Sequence, residues 1–203
     1  LPKAIAAAVH EGEAAISPTM EVSPMRFATL AILAGLLVSA AAAQDNTLRY
    51  ALNGDNTKIL WTGTKANGKH DGGFKTVKGV ATLSDATGLK IDVEIDATSL
   101  YSDDAKLTGH LKSPDFFAVK DHPKARFVSS KIDKTGGNAY TVYGELTFLG
   151  KTNKVTFPAT ITAGNNLQIA AAFKIKRSDY GMTYGLGKVD DDVSIQVSVN
   201  ASK

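Results

Sequence analysis

The sequence contains no cysteine. That absence excludes a disulfide framework, a thiolate metal site, a cysteine nucleophile and a lipid-anchored cysteine. Export stays open, because a domain of this size buries enough core to stand without cross-links. Strong charge of either sign is also missing: 23 Lys and Arg stand against 20 Asp and Glu, a net charge of +3. So weak and dispersed a charge argues against nucleic acid as a partner. No apolar run reaches the roughly 20 residues of a membrane-spanning helix. There is no internal repeat, and no low-complexity tract outside the N-terminal alanines. No Gly-x-Ser-x-Gly elbow is present, which removes the usual serine-hydrolase signature. What remains, 203 residues with 43% hydrophobic and 21% charged, is the profile of a globular domain carrying an extension.

The extension is legible. Met25-Arg26 gives a short basic start, Phe27–Val38 an apolar stretch, and Ser39-Ala40-Ala41-Ala42-Ala43 a run of small residues. These are the parts of a cleavable secretory signal, with Ala41 and Ala43 at the A-x-A positions and the cut before Gln44. An uncleaved membrane anchor is the alternative, disfavoured by the shortness of the stretch. Residues 1–24 carry Glu11, Glu13 and Glu21 ahead of the apolar stretch, where an export signal wants none. They read as a mis-called upstream extension, with translation starting at Met25. Residues 25–43 are then the signal peptide and 44–203 the exported domain.

That domain reads as strands. Leu89, Ile91, Val93 and Ile95 alternate with Lys90, Asp92, Glu94 and Asp96. Tyr140, Val142, Gly144, Leu146 and Phe148 share one face of the next clear run. Leu167, Ile169, Ala171, Phe173 and Ile175 share another, as do Val193, Ile195, Val197 and Val199. A period of two marks strands with one face in water and one face covered. Weaker runs span Lys58–Thr64 with Ile59 and Trp61, Phe74–Leu83, Ala125–Ile132 with Phe127, and Val155–Ile161 with Phe157. Turn signals separate them at Asp71-Gly72-Gly73, Asp85–Gly88, Gly136-Gly137-Asn138 and Gly164-Asn165-Asn166. The expectation is an all-β, antiparallel, eight-stranded sandwich or barrel. An eight-stranded barrel is either filled by side chains or holds one small ligand. An apolar bore would suit a hydrocarbon chain, which gains about 0.8 kcal/mol per buried CH2. Periodicity does not distinguish the filled case from the hollow one.

One segment breaks the alternation. Ser102–Leu111 pairs Leu107 with Leu111 at helical spacing, and Ser113-Pro114 offers a second helix start before Phe116-Phe117. Two short helices in a long crossover would roof an open end. Three polar residues are candidates at such a mouth. His110 either meets a ligand head group or fixes its loop. Arg177 and Asp179, at a strand end, either meet a phosphate or carbonyl or bond to backbone and to each other. His110, Asp115, Asp121 and His122 suit zinc by type, but their spacing matches no tight ligand motif. His70 and Asp190-Asp191-Asp192 read as solvated turns, and His122-Pro123 as a turn before a strand. No catalytic residue, metal or cofactor is assigned.

Five short motifs in order resemble the YceI-like family: Gly73-Phe74 with Val77-Lys78-Gly79; His110–Phe117; His122–Phe127; Tyr143–Lys151; and Lys176–Met182. The likeness covers Thr47–Val199. It implies an elongated lipocalin-like barrel with a helical insertion, a periplasmic location, and a tunnel for a polyisoprenoid or similar amphiphile. The expected wall comprises Trp61, Phe74, Ile91, Val93 and Ile95; Leu111, Phe116, Phe117 and Phe127; Val142, Leu146, Phe148 and Phe157; and Ile169, Ala171, Phe173, Ile195 and Val197. The resulting expectation is a carrier of a polyisoprenoid, quinone or other lipid, with a membrane surface as ligand source. The oligomeric state stays open, a homodimer included. The alternatives are a lipid-modifying enzyme using His110 and a carboxylate in the same cavity, or a ligand-free structural or stress-response barrel. There is one departure: Leu107 and Thr108 stand where the family often has an Arg-Asp pair.

Overall fold

The structure, a computed structural model, describes residues 46–203. The expectations for 1–43 lie outside the described residues. Among the described residues no helix is long and apolar enough to cross a membrane.

The strands in chain order are β1 (Leu48–Asn53), β2 (Thr57–Lys65), β3 (Gly68–Phe74), β4 (Val77–Ser84), β5 (Gly88–Asp96), β6 (Leu100–Ser102), β7 (Lys124–Gly136), β8 (Ala139–Phe148), β9 (Lys151–Ala163), β10 (Asn166–Lys176) and β11 (Val189–Ser202). One helix, α1 (Ala105–Leu111), sits between β6 and β7. All strands join one sheet in the order β1-β4-β5-β7-β8-β9-β10-β11-β2-β3-β6, and every pairing is antiparallel. The sheet curls around a single apolar interior. Its two edges are β1 and the three-residue β6.

Eleven strands replace the expected eight. The run expected over Phe74–Leu83 divides at Lys75-Thr76 into the end of β3 and the whole of β4. Asp71-Gly72-Gly73 is no turn; it lies inside β3, paired with Thr62, Trp61 and Leu60 of β2. A Cβ on Gly72 would overlap the indole ring of Trp61. The glycine is there because its neighbour's side chain fills both places, and glycine in a strand marks such close approaches. Asp190-Asp191-Asp192 likewise belongs to β11 rather than to a turn.

The helical insertion is also smaller than expected. Asp104 caps α1: its Oδ1 accepts from the Leu107 N–H at 2.6 Å. Residues 113–121 form turns, not a second helix. Phe117 N–H reaches back to the Leu111 carbonyl and Ala118 N–H to that of Ser113. Ala118 adopts φ +41°, a conformation that ends helical propagation.

The interior has two ends. At one, the floor, the β4–β5, β7–β8 and β9–β10 turns gather. Here Tyr50, Leu167, Ile161 and Ala201 are sealed from solvent. Tyr50 reaches from β1 to the β9–β10 turn, where its hydroxyl donates to the Gly164 carbonyl at 2.6 Å. At the other, the mouth, lie α1, the 113–122 turns and the 177–188 connection between β10 and β11.

Candidate functional site

Alternation puts the apolar half of every long strand inside, and it leaves room there. A cavity of about 210 Å³ runs from Leu52, Thr57 and Val199 toward the floor to Arg177, Met182 and Val189 at the mouth. Its surface is entirely apolar. The strands themselves record where it opens. On β10, Leu167, Ile169 and Ala171 are buried, whereas Phe173 and Ile175 face the same way and keep accessible surface. Inward-facing residues retain such surface only beside empty space.

Every apolar wall position named from the sequence lines this cavity. Phe116 and Phe117 are both among them. Phe117 packs on Phe74 and Phe148, at ring distances of 5.9 and 5.1 Å. Across the wall, Phe157 stacks on Phe173 at 4.2 Å and nearly parallel. Among the lining residues that the sequence reading missed are Leu52, Thr57, Ile175, Met182 and Val189. Ile175 shared the parity of its strand and was recoverable. Leu52 belongs to an unread strand, and Met182 to a loop.

The polar candidates divide. Arg177 is buried at the mouth, 3% exposed. Its Nε donates to the Asp190 carbonyl, Nη1 to those of Met182 and Tyr184, and Nη2 to that of Val189, at 2.7 to 3.1 Å. The guanidinium thus holds the 182–190 segment in place through backbone carbonyls. Asp179 is exposed, and no bond joins it to Arg177. Its neighbour Tyr180 is buried against Phe148. Burial, and then the Asp179 charge, push the Tyr180 hydroxyl up to about 12. Asp191 anchors the same segment by accepting from the Ser178 N–H and hydroxyl at 2.9 and 2.6 Å. Those bonds hold its carboxyl below the usual range.

His110 is exposed and lines no part of the cavity. Its Nε2 lies 3.0 Å from Asp115 Oδ2, and its ring packs edge-on against Phe116 and Tyr184. His70 is no loose turn residue: from β3 its Nδ1 lies 3.0 Å from Asp103 Oδ1. That contact, with the Asp71 N–H, holds the Asp103 carboxyl below its usual range and ties the helix entrance to the sheet. At the places of the expected Arg-Asp pair, Leu107 packs on the core and Thr108 accepts from the Ser102 N–H. Among the described residues no group of three or more His, Asp or Glu is placed to hold a metal ion.

A curled antiparallel sheet with an apolar cavity beneath a loop-built roof defines a hollow β-fold. The YceI-like domain model matches residues 50–201, and the chain belongs to the YceI-like family. It is 30% identical to a UPF0312 protein of Pseudomonas putida (strain GB-1), over 87% of this chain and 96% of that one. It is also 30% identical to protein YceI of Escherichia coli O157:H7, over 63% of this chain and 71% of that protein. Among solved structures it is similar to Burkholderia cenocepacia BcnA, with 29% identity and a TM-score of 0.66, covering 72% of this chain and 96% of BcnA. A polyisoprenoid binding domain from Saccharophagus degradans shares the fold at 12% identity and a TM-score of 0.62, covering 76% of this chain and 97% of that domain.

Proposed function

We propose that this chain is an exported, periplasmic carrier holding one long apolar amphiphile, a polyisoprenoid, quinone or similar lipid, in a lipocalin-like barrel. The observation that carries this reading is the cavity itself, whose surface presents no polar atom. Such a lining offers a hydrocarbon tail burial worth about 0.8 kcal/mol per CH2. The name of the Saccharophagus neighbour supports a lipid of this class. Chemistry on the ligand would need an acid, a base or a nucleophile at the reacting atoms. The two histidine–carboxylate pairs, His70–Asp103 and His110–Asp115, are solvent-exposed and line no part of the cavity. Binding without catalysis is therefore the reading favoured, with a membrane surface as the ligand's source.

Native mass spectrometry with organic extraction tests it, on protein purified from the periplasm without detergent. The expected result is a discrete extra mass that extracts as an isoprenoid or acyl chain. A bare protein mass, with no uptake of added long-chain quinones or isoprenols, would overturn the reading. Ala171 lines the cavity from β10, so Ala171→Trp is expected to abolish uptake while the protein still folds, at a cost of about 1–3 kcal/mol for overpacking. Undiminished uptake by the folded variant would place the ligand elsewhere.

A further inference from the structure

The wall of the cavity is not hydrogen-bonded along its whole height. β10 pairs with β11 at eleven consecutive positions, from Asn166–Ser202 to Lys176–Asp192, and β9 pairs with β8 at ten. Between β9 and β10 the ladder holds five pairs and stops at Ala171–Ala159. Both strands continue toward the mouth, β10 to Lys176 and β9 back to Lys151, with no further rung between them. Proline is the cause. The Ile161 N–H donates to the Asn138 carbonyl, on the β8 side. Backbone groups of successive strand residues point to opposite neighbours, so the even-numbered residues of β9 address β10. Beyond Thr160 the next of these is Pro158, which has no N–H to give.

Side chains close the slot that results. Continuing the register sets Phe157 opposite Phe173, and their rings stack 4.2 Å apart and nearly parallel. Nearer the mouth, Asn153 Nδ2 donates to the Asp179 carbonyl at 3.2 Å. Parting β10 from β11, or β8 from β9, breaks ladder bonds; opening the slot asks mainly that two rings separate. On the outer face of the sheet, at the foot of the slot, lies a groove of about 610 Å³. Ala171 and Val197 belong to its lining and to that of the cavity, so a single layer of sheet divides the two. The groove is shallowly floored by Ala170 and Ala172 and carries the side chains of Thr160, Gln196 and Ser198, all of them exposed.

Resting on the carrier reading, we infer that the slot between β9 and β10 is a side portal and the outer groove a second subsite, with the ligand's tail inside the wall and its polar end outside. The tail passes inward between Phe157 and Phe173. The polar end stays on the hydroxyls and amide of the groove, because the cavity surface presents no polar atom and an unpaired polar group is costly to bury there. Hydroxyl and amide groups both donate and accept, which suits an uncharged hydroxyl- or carbonyl-bearing end. Lys58, at the edge of the groove, already donates to the Gly54 carbonyl.

The chain has no cysteine, so introduced pairs can be stapled selectively with a bis-maleimide. One pair, Thr156→Cys with Lys174→Cys, spans the slot from its outer side. A second, His110→Cys with Tyr184→Cys, ties the roof, where the two rings stand 5.3 Å apart. Uptake of a prenylated benzoquinone by the full chain is timed by quenching of Trp61, the one tryptophan, which lines the cavity. Stapling the slot is expected to slow uptake about tenfold or more against the same unstapled pair, and stapling the roof to change it less than about twofold. A slot staple without effect, or a roof staple that slows uptake as much, would overturn the portal. Ala172→Phe fills the groove from the solvent side. It is expected to weaken quinone binding about five- to tenfold, the loss of one neutral hydrogen bond, and to leave squalene, a hydrocarbon with no polar end, within about twofold. Equal effects on both ligands, or none on the quinone, would overturn the subsite while leaving the carrier intact. Should the slot pair not fold, Ala172→Phe decides alone. If the unmodified chain binds neither ligand, the carrier reading itself fails.

Discussion

At the floor of the interior Tyr50 and Leu167 are fully buried, while further along the same sheet Phe173, Ile175, Val193 and Ile195 face inward and keep accessible surface. Both ends are built from one alternation on continuous strands. They differ in what crosses them. At the floor β1 reaches over, and Tyr50 closes the gap by bonding to the far turn. At the mouth, a two-turn helix and two loops span the opening, and the loop on the β10–β11 side is fastened by one buried arginine. Parity fixes which side chains point in; the closing element decides whether the enclosed space is filled.

Arg177→Met should give the largest effect. It leaves four carbonyls of the mouth without their donor, at a cost of about 3–5 kcal/mol by urea denaturation. A change under about 1 kcal/mol would mean that the loop is held by other contacts. Truncation should then separate the two ends. Leu167→Ala in the filled floor should cost about 3 kcal/mol. Ile195→Ala, beside existing empty space, should cost roughly half that, since fewer contacts are lost. Equal costs would argue that the mouth end is as tightly packed as the floor.

A smaller effect follows from Tyr180. Its hydroxyl pKa is raised by burial to about 12, above the ordinary 10.0, so the folded state keeps a proton that the unfolded chain releases. The associated stability is fully present below about pH 10 and is lost between 10 and 12, on the order of 2 kcal/mol. Denaturation at pH 9 and pH 11.5 should show the loss in wild type and not in Tyr180→Phe. Smallest of all, His110→Ala removes an exposed pair with Asp115 and should cost under about 1 kcal/mol with lipid uptake unchanged. A loss of uptake would bring His110 into the site.

The strands of the hollow end were the most legible, because β5, β8, β10 and β11 alternate without interruption. Those without a clean pattern were not. β6 has three residues, too few for a period to show. β3 reads Gly-Lys-His-Asp-Gly-Gly-Phe, and its inward place at Gly72 is occupied by the indole of another strand. The wall was legible for the same reason as the strands. The hollow was not, because it depends on side-chain volumes summed across nine strands and a roof. Arg177 was singled out, but its backbone partners lie 5 to 13 residues away, in an irregular loop and at the start of β11, which no spacing rule reaches.

The sheet ends in two edges, β1 and β6, and is not hydrogen-bonded into a ring. In a closed barrel the bore is set by strand number and stagger, and widening it means breaking ladder bonds. A curl with a seam is under no such constraint. Its radius can change by a small adjustment of twist at every pairing, with each hydrogen bond kept. Strand count therefore sets no ceiling on the girth of what this interior admits; the limit lies with the side chains and loops that bridge the seam.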